Sequence, residues 1–242
     1  MTKHEKQVAA KVVFQKLFIS LRYFLLGLMQ SKPEYKVALD ALEYAALLHT
    51  NLRKDGFTPE FQHQLEITHL LRTLIPWLRY PAETLAAAIL HDTMEDTDVH
   101  REDLEQRFGE LVTNASLLLN KYDEQGHLKD EAAYYLAMAD CPIASVVKPG
   151  DRGHNQSTMG GVFSFKKQHS YILTTETRIF PMMKLARRRF VDQESAYENL
   201  HFLLRNQCRQ TRVMLDALGF NPETGEINFN GTPDVVHPLA IT

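Results

Sequence analysis

Ala86-Ala87-Ala88-Ile89-Leu90-His91-Asp92-Thr93-Met94-Glu95-Asp96 is the stretch on which the reading of this chain turns. Five apolar residues run directly into an imidazole and three carboxylates. A water-avoiding helix segment thus closes in His-Asp-x-x-Glu-Asp. At about 100° per residue, helical positions three and four apart share a face. Asp92 then sits beside Glu95 and Asp96, and His91 beside Glu95. Three acids this close repel one another unless a cation lies between them. Two readings follow: a metal site with spare carboxylates for proton transfer, or a solvated helix end with an acidic last turn. The second runs against the helix dipole.

Outward from this stretch, helical patterning dominates. The spacing predicts helices near 4–30, 34–54, 60–77, 82–95, 100–107, 109–121, 128–139, 142–149, 163–189 and 193–218. Ser31-Lys32-Pro33 breaks the first from the second, with the proline opening the next helix. Asn221-Pro-Glu-Thr-Gly-Glu reads as a turn, and Glu226–Asn230 as a short strand. No repeat, low-complexity tract or Pro/Gly/Ser linker divides the chain. The fold expected is one compact all-α domain with a short irregular tail.

The composition narrows the function classes. A chain of 242 residues with 44% apolar residues can bury a sizeable core. The net charge is −3 and the basic residues are scattered, which argues against broad capture of nucleic acid. Cys141 and Cys208 stand alone, without CxxC spacing, so a reducing cytoplasmic setting is expected. Residues 12–30 are apolar, but Lys16 and Arg22 interrupt them and no small-residue cleavage site follows. Neither a membrane span nor a signal peptide fits well. A helix packed on the domain or at a subunit contact fits the spacing of Val13, Leu17, Leu21, Phe24, Leu25 and Leu28 better.

Two further polar islands accompany the first. Lys148-Pro149-Gly150-Asp151-Arg152-Gly153-His154-Asn155 follows a second apolar run and, if helical, places Lys148, Asp151, Arg152 and Asn155 on one face. By itself, Asp151 beside Lys148 or Arg152 reads as an ordinary ion pair. Arg53-Lys54-Asp55-Gly56-Phe57-Thr58-Pro59 leads into a helix carrying His63 in its first turn. A lone histidine there reads as structural. Taken together, His63, His91, Asp92 and Asp151 make two imidazoles and two carboxylates from separate helices. Such mixed ligands suit a first-row divalent ion such as Mn, Fe or Zn. The ion would acidify a water and polarise a phosphoryl group. Glu95 or Asp96 would position the water or take its proton.

These motifs resemble the HD-domain superfamily of metal-dependent phosphohydrolases. More closely, they resemble the RelA/SpoT-type (p)ppGpp hydrolases, including the small hydrolase-only forms. The resemblance covers roughly residues 35–205 and rests on five features. They are the basic pair, glycine, proline and histidine from Arg53 to His63; the H-D-x-x-E-D at 91–96; Arg107-Phe108-Gly109; Ala137–Asp140; and K-x-x-D-R-x-H-N at 148–155. The resemblance implies an all-α HD-domain helical bundle. It implies His63, His91, Asp92 and Asp151 as ligands of one divalent ion, Mn2+ by preference, with Glu95 and Asp96 activating water. It places Arg53 and Lys54 near the guanine base and phosphates, and Asn155 against the nucleoside. Tyr171, with Lys167 one turn before it, matches an aromatic and basic pair lining the nucleotide pocket, although Tyr171 reads equally as a helix-face aromatic. Lys121, Lys148 and Arg152 complete the expected phosphate contacts.

Three departures from the family pattern stand out. Gln64 follows His63 in place of proline. The Arg53–His63 segment differs in length from many members, so Arg53 and Lys54 can exchange roles. Pro149-Gly150 replaces helix-favouring residues, and an interior proline costs about 3 kcal/mol unless the helix kinks or ends. Asp151 is therefore expected on a kink or loop. The chain divides by this reading into an N-terminal apolar helix (1–32), an HD-type hydrolase domain (33–218) and an irregular tail (219–242). The expected activity is removal of pyrophosphate from the 3′ side of (p)ppGpp by a cytoplasmic enzyme, with neither nucleic acid nor membrane as partner and with a homo-oligomer admissible. The alternatives are an HD phosphohydrolase for another nucleotide (a nucleotide 3′- or 5′-phosphate, or NADPH) and a non-catalytic alarmone-binding regulator.

Overall fold

Helix α4 (Pro81–Leu90) lies at the centre of the molecule because its run from Leu85 to Leu90 is wholly apolar. Every residue from Thr84 to Leu90 is buried, on all faces of the helix. A helix apolar all round must be covered on all sides. It is covered by α2 (Lys36–Leu48), α3 (Gln62–Leu71), α6 (Arg101–Leu119) and α8 (Ala144–Thr158). Ala86, Ala87 and Ala88 keep the axes close. The computed structural model describes residues 2–123 and 125–228, and these form an all-α bundle. Among them, extended pairing is limited to single antiparallel bridges at Leu52–Pro59, Tyr122–Leu128 and Phe220–Ile227.

The remaining helices wrap this centre. Helix α1 (Lys3–Ser31) starts with a capping box in which Thr2 Oγ1 accepts from Glu5 N–H and Glu5 accepts from Thr2 N–H. It leans on α2 and α3, where His69 Nε2 donates to the Leu17 carbonyl at 2.9 Å. Only Leu21 and Leu25 of α1 are fully buried. By length and composition α1 could cross a membrane, its most apolar window having a mean hydropathy of 1.5. Past the site-bearing helices come α7 (Glu131–Met138), α9 (Phe165–Thr174), α10 (Phe180–Arg189) and α11 (Glu194–Ala217), with one π-helical turn joining α9 to α10.

Several expected elements end elsewhere. The helix expected over 34–54 stops at Leu48. Asp55 caps Phe57 and Thr58 N–H at 2.9 Å each, and Gly56 at φ 75° closes the turn, so His49–Phe61 forms a hydrogen-bonded loop. The helix expected over 82–95 is broken after Leu90, and Asp92 (φ −100°, ψ −1°) precedes the one-turn helix α5 (Thr93–Asp96). Glu95 and Asp96 therefore do not burden the C-terminal end of α4. Gly109 (φ 79°, ψ 167°) interrupts α6 where a break was expected. Of the strand expected at 226–230, Ile227 makes one bridge; residues 229–242 lie outside the described residues.

The largest correction concerns Pro149-Gly150. The expected helix end at 149 is absent, and α8 runs through to Thr158 with Asp151 on it. Packing supplies the reason. A Cβ on Gly150 would stand 3.3 Å from Leu71 Cδ2 on α3, and one on Gly153 would stand 3.1 Å from Leu203 Cδ2 on α11. The glycines let α8 wedge between the two helices, and that burial offsets the hydrogen bond proline cannot donate. We expect Gly150→Val to lower unfolding stability by about 1–3 kcal/mol through overpacking. Gly160→Ala, with open space around the added carbon, should change it by less than about 0.5 kcal/mol. Urea denaturation of the two variants checks both values.

Candidate metal centre

Three breaks in the helical pattern bring the polar islands together. His63 enters from the first turn of α3, His91 from the buried end of α4, Asp92 from the turn before α5, and Asp151 from the middle of α8. His63 Nε2 lies 3.2 Å from Asp151 Oδ1 and 3.7 Å from Asp92 Oδ2. His91 Nε2 lies 3.0 Å from Asp92 Oδ2 and 3.9 Å from Asp151 Oδ1. Both imidazoles and Asp151 are buried, and Asp92 is half-buried.

The surrounding hydrogen bonds orient each donor atom. His91 Nδ1–H donates to the Ala88 carbonyl at 2.8 Å, which turns Nε2 toward the carboxylates. That nitrogen is not aligned for a hydrogen bond to Asp92, its ion-pair neighbour, and has no hydrogen-bond partner among the described residues. Glu66 Oε2 accepts from His154 Nε2–H at 2.6 Å, so His154 Nδ1 carries a lone pair. It accepts from His63 Nδ1–H at 2.7 Å, and His63 Nε2 is left facing Asp151 and Asp92. This carboxylate–imidazole–imidazole chain has the form of the outer partners that fix histidine ligands of metals. Asp151 is held at both oxygens: Asn155 Nδ2 donates to Oδ1 at 2.6 Å and Lys148 Nζ to Oδ2 at 3.0 Å.

The charges follow from these contacts. Burial pushes His63 down to about 4, against the pull of Asp151, so its imidazole is neutral. Burial also opposes charging of His91, but Asp92 and Asp151 outweigh it and hold the imidazolium up to about 9. Burial would raise Asp151, yet the Lys148 ammonium keeps it well below the usual carboxylate range. Lys148 in turn stays charged although it is buried. A buried carboxylate so paired is ready to bind a cation without first losing a proton. The donor set fits a divalent ion: an unpartnered buried nitrogen, a second oriented imidazole and two carboxylates.

The centre forms the floor of a cleft of about 730 Å³, within the range of small-molecule sites. Arg53, Lys54, Glu95, Asp96, Lys121, Arg152, Asn155 and Tyr171 line it, as do Asp92, Asp151, His63 and Lys148. Lys167 stands just behind, 4.2 Å over the ring of Phe163 and 5.9 Å over that of Tyr171. The Arg152 guanidinium lies 4.3 Å over the Tyr171 ring. Lys121 pairs with Glu95 across the mouth. Asp96 is pushed up to about 6, first by partial burial and then by the charges of Asp92, Glu60 and Glu95. Two positioning residues escaped the sequence reading, Glu66 and His154. Spacing alone could have flagged Glu66, one turn after His63; only the fold shows that His154 reaches His63.

Residues 41–132 match the model of a family described as HD domain. This stretch supplies His63, His91 and Asp92, while Asp151 comes from the helix beyond it. A protein named GTP pyrophosphokinase from Streptomyces coelicolor is 33% identical over 127 residues, covering 49% of this chain and 14% of that protein. A guanosine-3′,5′-bis(diphosphate) 3′-pyrophosphohydrolase from Aquifex aeolicus is 30% identical over 146 residues, 58% of this chain and 20% of the relative. A protein named GTP pyrophosphokinase rsh from Brucella melitensis is 30% identical over 138 residues, 53% of this chain and 18% of the relative. The aligned part of the chain thus spans at most about a fifth of the length of these curated relatives.

Two measurements bear on the centre. Glu66→Gln or His154→Ala should weaken Mn2+ binding by about 10–100-fold, as loss of outer partners does elsewhere; calorimetric titration reads the change. At pH 7.5, below the value of about 9 for His91, binding should release one proton from its Nε2 and none from His63. The release should vanish as pH rises through about 9, and titration in buffers of different ionisation enthalpy counts it.

Proposed function

We propose that this chain is a metal-dependent 3′-pyrophosphohydrolase that converts (p)ppGpp to GDP or GTP and pyrophosphate. One observation carries the reading: the imidazole–carboxylate floor lies directly below a crowd of cations. Lys167 is depressed first by burial and then by the nearby charges of Lys54 and Lys121. A ligand bearing several phosphates offsets those charges, and a mononucleotide offsets fewer of them. The similarity to a named 3′-pyrophosphohydrolase supports the same substrate class.

The division of labour follows from the geometry. His63, His91, Asp92 and Asp151 would hold the ion, for which we propose Mn2+. Bound there, it supplies a Lewis acid for a phosphoryl oxygen and an acidified water. Lys148 and Asn155 are committed to Asp151, so they position that carboxylate; we now assign them this duty in place of direct substrate contact. Arg53, Lys54, Arg152 and Lys167 bind phosphates, and Lys121 does so when it releases Glu95. Tyr171 and Phe163 offer ring surface for the base. Glu95 and Asp96 face the cleft beside the centre, where they orient the attacking water and accept its proton.

The regulator alternative drew its support from Pro149-Gly150 and from the apolar N-terminal helix. Because α8 continues through that pair and carries Asp151 to within 3.2 Å of His63, the first of these no longer favours it. In keeping with its two free thiols, we place the enzyme in the cytosol, with a nucleotide as its ligand.

Purified protein given ppGpp and Mn2+ should release pyrophosphate, and chelation should abolish the reaction. GMP and GTP should turn over far more slowly. Release of orthophosphate alone, or equal rates on GMP, would assign the chain to a generic nucleotidase instead. Glu95→Gln should keep its metal and lose about tenfold to a hundredfold in rate. Metal analysis and steady-state kinetics on the same sample separate those two effects.

A further inference from the structure

A second group of ligating atoms, two of its three residues lining the cleft, lies outside the four residues assigned above. His49, Glu60 and Asp96 each present one donor atom, all within 4.8 Å of one another. They come from separate places: His49 follows the last turn of α2, Glu60 closes the loop before α3, and Asp96 ends α5.

His49 is the informative member. Its side chain is fully shielded from solvent, and its ring stacks on Phe61 with an interplanar angle of 5°. Nε2 lies 3.3 Å from Thr93 Oγ1, and the tautomer in which Nε2–H donates to that hydroxyl leaves the lone pair on Nδ1. Nδ1 is buried and has no hydrogen-bond partner among the described residues. It points toward Glu60, whose Oε2 is 3.8 Å away, too far for a hydrogen bond. A buried nitrogen lone pair aimed at a carboxylate oxygen is unfavourable for both atoms unless something positive lies between them.

The charges around the group point the same way. Glu60 is raised by burial and then by Asp92, with Asn51 and then Arg53 offsetting only part of this. Glu60, Asp92 and Asp96 all line the cleft, so an ion there would reach substrate oxygens. One imidazole and two carboxylates favour Mn2+ over Mg2+ or Ca2+, which prefer all-oxygen shells.

We propose that His49, Glu60 and Asp96 form a second divalent-cation site beside the first, making the cleft a two-ion centre. The proposal deepens the function given above and rests on it. Two ions side by side clamp both the attacking and the leaving oxygen of a displacement at phosphorus. Asp96 then serves as a ligand, and Glu95 remains as the group that accepts the proton.

The test is Mn2+ stoichiometry, measured by equilibrium dialysis and elemental analysis on the metal-stripped full chain. Glu60→Gln removes a ligand at a half-buried position without changing shape, and Asp151→Asn weakens only the first site. Circular dichroism confirms that both fold. Wild type should bind two ions at saturation. Glu60→Gln should bind one, its second affinity falling at least about tenfold. Asp151→Asn should retain the site that Glu60→Gln loses. One ion in wild type, lost in Asp151→Asn, overturns the second site and leaves the first intact. Two ions in Glu60→Gln place the extra ion elsewhere and also overturn the proposal. No bound ion in wild type removes both sites together.

Discussion

Beyond its first turn, helix α4 has no face that meets water, and the arrangement of the molecule follows from covering it. Four helices close around it, and its C-terminal end is buried along with its sides. His91 sits at that end. An imidazole placed there cannot be solvated, so its ring nitrogens must be satisfied from within. The Ala88 carbonyl takes one, and the other is left facing Asp92 and Asp151. The same burial that stabilises the bundle thus creates the demand for a cation.

Burying carboxylates next to that imidazole requires compensation, and α8 provides it within two turns. Lys148 and Asn155 hold the two oxygens of Asp151, three residues before it and four after. These are the spacings at which helical side chains meet. The charge of Lys148 survives its burial because the partner is close and held at the other oxygen. Gly150 and Gly153 bear on the site without touching it. They let α8 approach α3 and α11 closely enough for Asp151 to reach His63.

The cleft gathers acids and imidazoles together with lysines, arginines and aromatic rings. A net charge of −3 for the whole chain gives no sign of that local concentration. On the function proposed above, a ligand carrying phosphates and a ring would find cations and ring faces as well as the ion-binding floor in the same cleft.

The helical class, the buried character of α4 and the residue types of the site were legible in the sequence because each depends on local pattern. Apolar periodicity decides burial, and His-Asp-x-x-Glu-Asp and Lys-x-x-Asp-Arg-x-His-Asn are recognisable wherever they fold. The break after Leu90 was not legible, since a helix and a helix followed by one turn share the same spacing over so few residues. Pro149 read as a terminator because propensity is local, whereas the burial that carries α8 past it belongs to three helices at once. The roles of Glu66, His154, His49 and Glu60 depend on contacts between segments far apart in the chain, such as the 91 positions separating His63 from His154. The chain alone determined which chemical groups are present and which helices must be buried. Only the tertiary structure decided which groups face one another, because a ligand set is defined by distances between atoms that no local pattern encodes.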